Sequence, residues 1–153
     1  MIRTDKRLRL CTALLICNLI FIWGNSLLPG EVSGAISDWV KGVLEKLIPG
    51  EESSPSGGLL RKIAHFTEFT ALGMCLGWLF GMLQKGKFLP LGCGVLAACV
   101  DETIQRFVPD RGPSLKDVGI DSCGVLTGLI LLYLGHHYLK KRSAKPSLED
   151  NEL

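Results

Sequence analysis

Charged residues in this chain fall in clumps, and the stretches between the clumps run uncharged for about the length of a membrane-crossing helix. Leu10 to Gly30 carries no charge at all, and a hydrocarbon core about 30 Å thick needs about 20 apolar residues per helix. Similar stretches follow at 62–83, 88–107 and 118–138, provided the polar residues at one end of each are accepted into the span. None alternates as a barrel strand does, and lipid admits only segments whose backbone hydrogen bonds close internally. The pattern predicts an all-α integral membrane protein: four transmembrane helices in a domain over residues 1–142, then a disordered cytoplasmic tail over 143–153. Arg3, Lys6, Arg7 and Arg9 precede the first stretch as they would in a cleaved signal peptide, but the apolar run is long for one and no small-x-small site follows it.

Between the first two spans the pattern changes. Ile36, Trp39, Val40, Val43, Leu44 and Leu47 recur at helical spacing, with Asp38, Lys41, Glu45 and Lys46 on the other side. A helix this short and this charged does not span, and Trp39 suits it as an interface anchor. It reads as an interfacial amphipathic helix, either a spacer or a lid over that end of the bundle, with a flexible Gly and Ser return behind it.

Composition adds two points. Of the 153 residues, 47% are hydrophobic and 18 are glycine. Gly73, Gly77 and Gly81 recur every four residues on the second span, and Gly124 and Gly128 do so on the fourth. Faces of this kind let helices approach closely, within one chain or in a homo-oligomer. The six cysteines all fall inside spans, at spacings that suit neither zinc nor a redox pair, and read as small packing residues.

Charge then sets orientation. With the N-terminus inside, ten of the 17 Lys and Arg residues face the cytoplasm, and the seven outside are interleaved with carboxylates. Short loops rich in Lys and Arg stay inside, so both termini are expected in the cytoplasm of a multi-pass cell-membrane protein. The net charge of +2 gives no basis for a nucleic-acid partner.

The same topology gathers the polar exceptions. Arg61, His65 and Glu68 share a face in the first turns of the second span, Asp101 and Gln105 share one in the last turns of the third, and Asp117 and Asp121 share one as the fourth re-enters. All reach the outer leaflet. Ionisable groups at such depth cost several kcal/mol unless paired or hydrated, and by default mark a functional site. Other readings compete. Ser114 with Asp117 fits a capping box, Arg106 and Lys116 can snorkel to lipid phosphates, and Arg111 in its tight turn can pair with Asp110 or with a bound anion. The whole cluster also reads as a salt-bridge network locking three helices together.

RKIAHFTEF at 61–69, followed by DETIQRFVPDRGPSLKDVGIDSCG at 101–124, resembles the two signature segments of VanZ-like membrane proteins, and the likeness extends from Leu8 to about Tyr138. The resemblance implies a small multi-span protein of Gram-positive cell envelopes, associated with teicoplanin resistance that leaves the peptidoglycan precursor unchanged. Its motif positions fall here on Arg61, His65, Glu68, Asp101, Glu102, Gln105, Pro109, Arg111, Asp117 and Asp121.

Carboxylates with one imidazole suit a hard divalent cation, and His65 and Glu68 have the i, i+3 spacing by which one helix presents two ligands. The candidate metal set is His65, Glu68, Asp101 and Asp121, and the same residues with Glu102 are the candidate catalytic groups. Arg61, Lys62 and Arg111 suit a phosphate, and the candidate binding set is Arg61, Gln105, Arg111 and Asp117. The expected partner is a membrane lipid or lipid-linked envelope precursor. Ser114, Ser122 and Cys123 lie nearby, yet the spacing sets no base beside any of them, so catalysis stays open. A scaffold or transport subunit is the alternative. Against a transport path, the inner halves of the spans are nearly free of polar groups.

Overall fold

The computed structural model describes residues 2–47 and 56–143. It contains five helices and, among the described residues, no strand: α1 (Ile2–Ser26), α2 (Gly30–Leu47), α3 (Gly57–Met82), α4 (Leu89–Gln105) and α5 (Leu115–Ser143). Three of them are long and apolar enough to cross a membrane, over Lys6–Ser26, Gly57–Met82 and Leu115–Arg142. The protein is a multi-pass membrane protein by this measure. At 17 residues, α4 is about 26 Å long at 1.5 Å per residue, a little under a hydrocarbon core.

Helix ends depart from the expected spans for local reasons. The first helix stops at Ser26, four residues before Gly30, because Pro29 has no N–H and biases Leu28 away from helical backbone. The third span ends at Gln105 for a related reason: Pro109 follows, and Asp110 behind it takes a left-handed φ of 58°. Two helices begin earlier than the spans expected at 62–83 and 118–138. Ser56 caps α3, its Oγ accepting from the Leu59 N–H at 3.4 Å, and Ser114 caps α5, accepting from the Asp117 N–H at 3.3 Å.

Packing centres on α3 and α5. Gly128 lies against the Thr70 carbonyl and Gly73 against the Val125 carbonyl, so a Cβ at either would strike backbone. A Cβ on Gly124 would come within 2.6 Å of the Phe66 carbonyl oxygen, and one on Gly77 within 2.8 Å of Leu129 and Leu132. Four of the five glycines in the two rows are therefore filled within the chain, and only Gly81 looks onto open space. Ile22 from α1 and Ala97 and Ala98 from α4 close the core around Phe69, Leu72 and Val125.

Helix α2 packs on α3, while Ile36, Trp39 and Val43 stay exposed, Trp39 at 70%. The side chains of Leu44, Glu45 and Leu47, most of the Gly and Ser return, and the tail after Ser143 lie outside the described residues. The turn ahead of α2 is docked. The Gly30 N–H donates to the Pro109 carbonyl at 3.1 Å, and a Cβ on Gly30 would strike the Asp110 backbone. The α1–α2 and α4–α5 turns thereby meet at one end of the bundle.

Candidate functional site

That end of the bundle holds the polar residues. Helix periodicity turns Arg61, His65 and Glu68 of α3 inward, toward Asp101, Glu102 and Gln105 of α4 and Asp117 and Asp121 of α5. Their convergence, expected from the topology and helical spacing together, is present.

Asp101 is fully buried at the centre. Its Oδ2 accepts from Gln105 Nε2 at 2.8 Å, one turn along the same helix, and lies 3.8 Å from His65 Nδ1, too far for a hydrogen bond. Its Oδ1 has no partner. Asp121 is 1% exposed, and neither of its carboxylate oxygens has a partner within the protein. One ligand atom each from His65, Asp101 and Asp121 lies within 4.8 Å of the other two.

Glu68 stands outside that group. Its Oε1 accepts from Asn25 Nδ2 at 3.0 Å, which ties α3 to the last turn of α1. Glu102 is also engaged elsewhere, since its Oε2 accepts the Ser114 N–H at 2.6 Å and so caps α5 from α4. The expected capping box therefore forms by half. Ser114 caps Asp117, but the Asp117 carboxylate, instead of returning to Ser114, lies 3.8 Å from Lys62 Nζ. That pair is partly exposed and weak.

Arg111 does not pair with Asp110. Its Nη2 donates to the Asn25 carbonyl at 3.4 Å, at the C-terminal end of α1 where a cation is favoured, and its Nε and Nη1 are buried without partners. Burial pulls the guanidinium below its ordinary value, the nearby Arg61 adds to this, and the Asp101, Glu102 and Glu68 carboxylates oppose it. Arginine stays charged throughout.

Between Arg61, Lys62 and His65 on one wall and Asp117, Ile120 and Asp121 on the other lies a cavity of ≈ 10 Å³. It holds about one water or small ion. Cys123 is exposed on the far face of α5, and the Ser114 hydroxyl is engaged in its cap, so no side-chain nucleophile faces the cavity from these two.

Sequence reasoning missed Asn25 and Ser26, the latter within 3.4 Å of Gln105 Nε2. Both are polar residues closing an otherwise apolar run. Taken as the end of a longer span, Leu10 to Gly30, they gave no sign of facing inward.

No curated protein matches this chain, and no solved structure does. The VanZ/LLP1 family matches it over residues 11–136, which take in both polar segments, the whole of α3 and α4 and most of α5, and the chain belongs to that family.

Proposed function

We propose that this protein binds the phosphate of a lipid-linked headgroup (a phospholipid, a polyprenyl phosphate or a teichoic-acid precursor) in a polar site at the outer leaflet. The observation that carries this reading is the Arg111 guanidinium, whose Nε and Nη1 are buried without partners at the same end of the bundle as a cavity lined by Arg61 and Lys62. Unpartnered guanidinium N–H groups and neighbouring basic side chains suit phosphate oxygens, and a two-point grip on one phosphate would take Nη2 over from the Asn25 carbonyl. The cavity itself is too small for a headgroup, so the phosphate sits at its mouth, reached by parting the Lys62–Asp117 pair.

In this reading α4 also spans, which makes four crossings in all. Phe88 and Phe107, 86% and 80% exposed, extend its apolar surface at both ends. Both termini are then cytoplasmic, in keeping with the Lys and Arg distribution. Helix α2 lies in the interface with Ile36, Trp39 and Val43 toward lipid and covers the site. A protein that sequesters or alters outer-leaflet headgroups changes how an acylated glycopeptide such as teicoplanin meets the membrane, the phenotype with which VanZ-like proteins are associated. With Ser114 engaged and Cys123 turned away, the support is for binding, and a reaction at this site would be hydrolysis by water.

The test is native mass spectrometry and 31P detection of lipid copurified with the protein from a Gram-positive host. Wild type should retain a phosphate-bearing lipid that Arg111→Ala loses at equal folded abundance. Equal retention by both would exclude the site.

A further inference from the structure

We propose that His65, Asp101 and Asp121 form the centre for one divalent cation of the Mn²⁺ or Zn²⁺ type. The proposal deepens the headgroup reading and rests on it only for what fills the cation's open positions, which face the cavity mouth.

The first support is geometric. Three ligand atoms from three different helices lie within 4.8 Å of one another. An ion at their centre would be about 2.8 Å from each at most, and drawing the side chains in by about 0.7 Å would reach the bond lengths of about 2.1 Å that imidazole and carboxylate ligands adopt.

The second support is independent of the clustering. Asp121 is almost fully buried, is aimed into the group, and finds no donor for either oxygen, while Asp101, fully buried, lacks one for Oδ1. Buried carboxylates otherwise hold a partner or a metal. None of the local cations supplies it: Lys62 is turned to Asp117, and Arg111 donates to the Asn25 carbonyl. Charge agrees. Glu68, Asp101, Glu102, Asp117 and Asp121 are five carboxylates against Arg61, Lys62 and Arg111, three permanent cations, so with all ionised and His65 neutral a deficit of two positive charges remains. One divalent cation removes it.

Donor chemistry narrows the ion. One imidazole with two carboxylates lies between the all-oxygen sets of Ca²⁺ and the thiolate-rich sets of structural zinc. Gln105 is a positioning residue here: its amide N–H holds Asp101 Oδ2 at 2.8 Å, the outer hydrogen bond that ligating carboxylates typically carry. Glu68, tied to Asn25, is left out of the centre, in contrast to its place in the set expected from helical spacing.

Mn²⁺ is the probe. The full chain, purified in detergent, stripped with chelator and free of added lipid, is titrated with Mn²⁺ and followed by the electron paramagnetic resonance of the free ion. Thermal unfolding is recorded with and without metal. We expect one saturable site per chain, a nitrogen hyperfine coupling from the imidazole, and a metal-dependent rise in Tm. Asp121→Asn and His65→Ala should each weaken binding at least tenfold, His65→Ala should remove the coupling, and Glu31→Gln on α2 should change neither. Variants are compared only where their metal-free unfolding is cooperative, and Asp101→Asn replaces either that fails. No saturable binding, or binding unchanged in two of these variants, overturns the centre. Mn²⁺ binding lost while the phosphate lipid still copurifies through Arg111 removes the cation alone. The reverse outcome leaves the cation in place and removes the headgroup reading.

Discussion

Asp121 is where binding and architecture make opposite demands. If the polar cluster existed only to lock helices, replacing one buried member would leave its partners uncompensated and cost about 3–5 kcal/mol. Asp121 has no protein partner to lose, so in metal-free detergent Asp121→Asn should hold or raise the thermal stability, because one of several mutually repelling carboxylates is gone. A drop in Tm of the size seen for a core truncation would favour the structural network. Glu102 is the internal contrast. It caps α5 at 2.6 Å through the Ser114 N–H, and Glu102→Ala should cost about 1–3 kcal/mol, read by the same unfolding experiment. Residue roles were only partly legible in the sequence. Spacing placed His65, Asp101 and Asp121 on inward faces, since a helix repeats whatever its surroundings. That Glu68 pairs with Asn25, and that Glu102 answers Ser114, depends on which helix lies next to which, and one sequence does not encode that in any local pattern.

Elements were easier to read than their ends. Long uncharged runs identify helices in lipid because no other structure satisfies their backbone, so each apolar stretch was legible as a helix, three of them long and apolar enough to cross a membrane. The ends shifted where a single residue decided them: Pro29 shortened α1, and Ser56 and Ser114 lengthened α3 and α5 toward the site. Glycine periodicity marked close packing without naming its partner, and the partner is the neighbouring helix of the same chain. This gives a test between helices. Gly128→Leu must push against the Thr70 carbonyl, whereas Gly81→Leu enters open space. The first should lose at least about 1–3 kcal/mol through overpacking and the second should unfold close to wild type in graded denaturant. Equal losses would mean that the α3–α5 contact is not the one that holds the bundle.

The molecule as a whole is tested by side and by phenotype. Single cysteines replacing Gly86 in the α3–α4 turn and Gly112 in the α4–α5 turn, both exposed, in a background without the native cysteines, should differ toward an impermeant maleimide on whole cells. Labelling at Gly112→Cys with protection at Gly86→Cys is expected, and the reverse would invert the molecule and move the site inside. Expression in a susceptible Gram-positive host should raise tolerance to teicoplanin with little change for vancomycin, and a triple variant carrying His65→Ala, Asp101→Asn and Arg111→Ala should abolish the gain at equal membrane abundance. A triple variant that protects as well as wild type would show that the cluster is not the working site. Equal protection against both drugs would remove the lipid-surface explanation.

The docking of Gly30 onto Pro109 also constrains the order in which the chain can be built. Asn25 meets Glu68 43 residues later, Ser26 meets Gln105 after 79, and the Asn25 carbonyl meets Arg111 after 86. During synthesis α1 therefore enters the bilayer with its polar end unmatched, gains its first partner when α3 follows, and is closed over only when the α4–α5 turn has emerged. A nascent chain arrested before Leu115 has Asp101 without Asp121 beside it and the Gly73 face of α3 without α5 to cover it. Such a chain presents to the bilayer both a bare small-residue groove and an unmatched acid, and the acid is costly in lipid until its neighbours arrive. Completion of the site and closure of the α3 glycine face are then one event, set by the arrival of the last helix.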